Sequence, residues 1–179
     1  MKEARRLIMP DRIGVFASLL ILTIGTAFGG FFGRYQGDLY RMLENAVTAH
    51  ASAHHLSGNL EQDSKVIEKA RSNFRGKLVR FHNHANGLAL AIFIVSLVIA
   101  NIELSVKIKK IITWAISLGG VTYPFGWLVT GLSIGTMGVE KAQKMGELIL
   151  VPSGTIVILS LVGTLGIYLF KEVKHRARS

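Results

Sequence analysis

The sequence contains no cysteine and only three prolines, and just 18% of its 179 residues are charged. Without cysteine there are no disulfides, thiolate zinc sites, iron–sulfur clusters, cysteine nucleophile or covalent c-type haem. The shortage of charge argues against an ordinary soluble domain, which carries roughly 25%. Acidic residues are scarcer than basic ones, 11 against 21, for a net charge of +10. Walker, dinucleotide-fingerprint, serine-elbow and H-E-x-x-H motifs are all missing. What is abundant is apolar sequence, half of all residues, with a mean hydropathy of +0.41.

That material is concentrated in four runs. A bilayer-crossing helix needs about 20 mostly apolar residues. Ile13–Gly33, Ala85–Ile102, Ile111–Gly135 and Leu148–Phe170 each meet or approach this length without an interior charge. Backbone groups in lipid must bond within their own segment, so these runs predict helices. The first run is too long for the apolar core of a signal peptide and lacks a small-x-small site, so it is read as a span. The expected fold is an all-α integral membrane protein, one membrane domain over residues 1–179. It has four transmembrane helices and an extracytoplasmic helical hairpin in the 34–84 loop between spans one and two.

Four spans put both termini on one face. Lys and Arg divide almost evenly between the faces. Those on the terminal side, however, crowd into short flanks, where the positive-inside rule counts them. The expectation is a protein of the cytoplasmic (inner) membrane with both termini in the cytoplasm. Basic residues split between two faces disfavour nucleic acid as a partner.

Within the 34–84 loop, Leu39, Leu43, Val47, His50 and His54 recur at steps of three or four, the stripe of an amphipathic helix starting near Asp38. Ser57-Gly58-Asn59 reads as a stop. A second helix is expected from Asp63 or Ser64, its stripe of Ile67, Ala70, Phe74, Leu78 and Phe81 running unbroken into span two. The hairpin is expected to lie on the membrane surface.

Five of the six histidines fall in this loop: His50, His54, His55, His82 and His84. His50 and His54 are spaced to share one helix face and meet one metal. His82 and His84, two positions apart, point about 200° apart and cannot serve one pocket on an unbroken helix. With no thiolate available, imidazoles are the natural ligands for Cu, Fe or Zn. His50, His54, His82 and His84 are therefore the candidate ligands of a haem or transition-metal centre, and His55 is the expected bystander. A solvated or interfacial role is the ordinary alternative for each ring.

Arg80-Phe81-His82-Asn83-His84, leading into an apolar span, resembles the H-x-H haem-ligating helix of haem–copper oxidase catalytic subunits. The resemblance covers about a dozen residues; the chain has four spans and no H-x-x-x-Y copper-site motif. It implies a haem-binding role, with haem b the expected cofactor, for His82 and His84, each facing a different side.

Other features have simpler readings. Gly25, Gly29 and Gly33 repeat every fourth residue, as do Gly131 and Gly135, a pattern that lets helices approach closely in lipid. Phe31, Phe32, Tyr35 and Tyr40 read as an aromatic belt. Tyr123-Pro124 marks a kink, and Asn86 and Asn101 are interhelical hydrogen-bonding groups. Glu140 and Glu147 could approach the histidines, although Glu140 and Lys144 also form an i, i+4 pair.

The expected function is a small redox subunit, an oxidoreductase component passing electrons within a respiratory or oxidising complex and exchanging them with quinone. The alternatives are a cofactor-free accessory subunit, docked on other membrane subunits or on a second copy, and a Cu- or Zn-handling protein. An ion pathway would require intramembrane carboxylates, which the spans lack.

Overall fold

A computed structural model describes residues 7–176; the basic residues at 1–6 and 177–179 that enter the orientation argument lie outside them. Four helices account for nearly all of the described chain: α1 (Arg12–Ala49), α2 (Leu60–Asn101), α3 (Val106–Met137) and α4 (Val139–Arg176). Each is long and apolar enough to cross a membrane.

The starts follow local chemistry. Asp11 accepts from Ile13 N at 3.0 Å, Asn59 from Glu61 N and Gln62 N, and Ser105 from Ile108 N. Each oxygen takes up an N–H that the first turn cannot bond internally. Between α3 and α4 stands a single residue, Gly138, at φ 78° and ψ 163°. A side chain is strained there, and a Cβ would lie 2.6 Å from the Ala53 carbonyl oxygen.

The region between spans one and two keeps the expected first arm but ends it earlier. The backbone leaves the helical conformation at Tyr35 (φ −108°, ψ 18°), a kink joining two helical segments of α1, and the second segment, which begins close to Asp38, ends at Ala49. A 3-10 turn, Ala51–His54, follows, and α2 starts at Leu60, earlier than Asp63. Asp63 ties the turn instead, accepting from Ser57 N at 2.8 Å and Gly58 N at 3.0 Å. At about 1.5 Å per residue, α1 (along its two segments) and α2 run about 57 and 63 Å, about twice the hydrocarbon thickness. The hairpin arms are thus prolongations of α1 and α2.

Packing explains the continuity. One core, around Ile21, Ala89, Ile92 and Ile116, joins the first three helices in their apolar halves and takes in Val157 of α4. A second, of Leu43, Val47, Phe74, Leu78 and Ile134, continues the same helix contacts beyond it. The stripe that predicted an amphipathic loop helix finds its partners by extending the bundle beyond the kink at Tyr35. Phe81 joins the two cores, fully buried between Phe28 and Phe125. α4 packs along α3, touches α2 only slightly, and leaves Leu148, Val151, Leu159 and Val162 exposed.

Candidate functional site

Each histidine singled out from the sequence stands in its own setting. His50 caps the end of α1 and is exposed, its Nδ1 hydrogen-bonded to the Ala46 carbonyl at 2.9 Å. His54 is buried in the 3-10 turn, with Nε2 3.0 Å from the Gly135 carbonyl of α3. The helix ends between them, so the two rings do not share the helical face that their spacing implied. His55 is exposed in a left-handed conformation. His54 and His55 line a cleft of about 460 Å³ with Lys69, Gly138 and Glu140, where the turn meets the start of α4.

His82 faces α1. Its Nδ1 lies 2.7 Å from the Gly25 carbonyl, which only accepts, so Nδ1 carries the proton. Asn86 Nδ2 lies beside the ring, 3.3 Å from Nδ1 and 3.4 Å from Nε2. The ring lies over Gly29, where a Cβ would come within 2.5 Å of it. The small-residue face of span one is therefore in use at Gly25 and Gly29, while Gly33 meets nothing within 4 Å.

His84 faces α3. It makes an edge contact with Tyr123, centroids 5.2 Å apart, and stacks on Trp127 at 6.1 Å and 10°. The divergence expected of His82 and His84 on one helix is what the side chains do. Glu140 pairs with Lys144 at 3.1 Å, and Glu147 accepts from Gln143 at 3.3 Å. Among the described residues no three His, Asp or Glu side chains gather as a metal would require.

Around His84 the sequence reading missed a cluster. Lys77 Nζ and the Arg80 guanidinium each lie 4.9 Å from the centre of the Trp127 ring. Lys77 is only 6% exposed, and its one hydrogen-bond partner is Gln143 Oε1 at 3.4 Å. The Trp127 indole N–H is buried without an acceptor. A signal was available: Lys77 interrupts the stripe of Phe74, Leu78 and Phe81 at a core-facing position.

No protein-family model, curated protein or solved structure matches the chain. The reading of function rests on its own residues.

Proposed function

We propose that the protein is an accessory subunit of a membrane assembly, without a cofactor, that docks another helix on the outer face of α1. The observation that carries this is a contrast in glycines. Gly25 and Gly29 are filled by α2, whereas a Cβ at Gly30, Gly33 or Gly37 would meet nothing of the chain within 4 Å. Close backbone approach is what small residues offer a partner in lipid, where apolar burial alone gives no drive to associate. His82 supports the reading from inside, since it bonds a carbonyl of α1.

One observation favours a redox subunit carrying haem b or Cu, Fe or Zn and serving quinone. His54 is oriented by one ring nitrogen on a carbonyl, as ligand histidines are, and borders a cleft with His55 and Glu140. A single preparation separates the readings. Accessory function predicts no stoichiometric haem or metal by pyridine-haem assay and elemental analysis. It also predicts that Gly33→Leu releases a partner or second copy, seen by native mass spectrometry, with thermal stability unchanged. Stoichiometric haem or metal lost in His54→Ala would establish the redox reading, and an unchanged assembly in Gly33→Leu would remove the docking face.

The orientation is part of the proposal: cytoplasmic membrane, both termini in the cytoplasm, and the α1–α2 and α3–α4 turns outside, on the strength of the short basic flanks. In this cysteine-free chain an impermeant thiol reagent should label Leu60→Cys and spare Ala177→Cys. The reverse pattern inverts the topology.

A further inference from the structure

We infer that the cluster of Lys77, Arg80, His84 and Trp127 is a binding site for a phosphate group, supplied by an anionic lipid headgroup or a soluble phosphate. Three features of the cluster call for the same ligand. Lys77 is nine-tenths buried, yet among the described residues no carboxylate oxygen lies within 4 Å of it or of Arg80. A buried charge is costly unless paired, and a neutral amide oxygen at 3.4 Å is a poor substitute. Two cations share one indole, an arrangement that brings like charges together with no anion between them. The Trp127 N–H, buried with no acceptor, is a further orphan donor beside them.

One acceptor-only anion would answer all three, and a phosphate has enough oxygens to take an ammonium, a guanidinium and an indole N–H together. Glu147 does not compete. It accepts from Gln143 Nε2 at 3.3 Å and acts on Lys77 from a distance, forming no ion pair within 4 Å of either cation. The depth also fits a headgroup. Lys77 and Arg80 precede the start of span two at Ala85 by about 12 and 8 Å along α2, while Trp127 lies in the last third of the third apolar run, so the cluster straddles the edge of the hydrocarbon. Tryptophan with Lys and Arg is the usual composition of the interfacial layer there. Arg80 is exposed and His84 half-buried, so the cluster can be reached from the side.

The site can be read by its own tryptophan. In a Trp114→Phe background, Trp127 is the only indole, and its emission is followed in neutral detergent during addition of phosphatidylglycerol, phosphatidylcholine or inorganic phosphate. A saturable change is expected with phosphatidylglycerol and not with phosphatidylcholine. If inorganic phosphate reproduces it, the source is a soluble phosphate; if not, it is the headgroup. Arg80→Gln, on an exposed side chain that leaves the core intact, should weaken the response about fivefold. Lys77→Gln should weaken it further if it folds, and the Arg80 variant suffices if it does not. Lys69→Gln, exposed on the same prolongation, should leave it unchanged. No saturable change with any probe, or an equal loss in Lys69→Gln, would overturn the assignment.

Discussion

The two flanks of α2 at the level of His82 and His84 carry similar residues in opposite conditions. On the α1 side the ring of His82 is bonded to the Gly25 carbonyl, has the Asn86 amide beside it, and sits against Gly29. On the α3 side His84 has aromatic rings for company, two cations nearby, and an indole N–H with no acceptor. The first flank is complete within the chain, and the second is not. An imidazole near a membrane is thus no indicator of function by itself. The unsatisfied groups around it are, because burying donors and charges without partners costs stability that only a ligand restores.

The comparison can be broken most severely on the complete flank. Gly29→Leu drives a side chain into the His82 ring and should cost about 3 kcal/mol or more, overpacking and the displaced hydrogen bond together. Thermal unfolding in detergent should reveal a large fall in Tm or no folded protein; parental stability would mean the α1–α2 contact is looser than described. A finer test sets His82→Ala against His84→Ala. The first removes an interhelical hydrogen bond and should cost about 1–3 kcal/mol. The second removes aromatic contacts at a half-buried position and should cost about 0.5–1.5 kcal/mol. Equal losses would erase the distinction between the flanks.

Much of the architecture was legible in the residues. Four uncharged apolar runs dictate four helices, and the continuity of Phe74, Leu78 and Phe81 into span two announces that α2 begins well before the membrane. The first arm was not legible in the same way. Its stripe marks the segment that follows the kink at Tyr35, but the close joint to span one comes from packing, since Leu43 and Val47 lie against α2 and α3. Periodicity reports which face is apolar and is silent on whether one helix or two carry it. The i, i+4 spacing of His50 and His54 failed for a related reason, since the helix ends at Ala49. The divergence of His82 and His84 followed from helical geometry alone. Their partners, Gly25 on one side and Tyr123 and Trp127 on the other, are remote in sequence and come together only through the packing of α1 and α3 on α2.

The single-residue joint at Gly138 has a consequence for how the chain assembles. A connection this short makes closing α3 against α4 nearly free of loop entropy, and the contacts so formed are local in sequence. Among the described residues α4 has few other contacts, so its place in the bundle is set almost entirely by α3. Its tip then meets the α1–α2 turn, where only a hydrogen at Gly138 leaves room for the Ala53 carbonyl. That meeting joins parts of the chain synthesised far apart, and it fastens the α1–α2 pair to the α3–α4 pair at the end where the chain reverses in both.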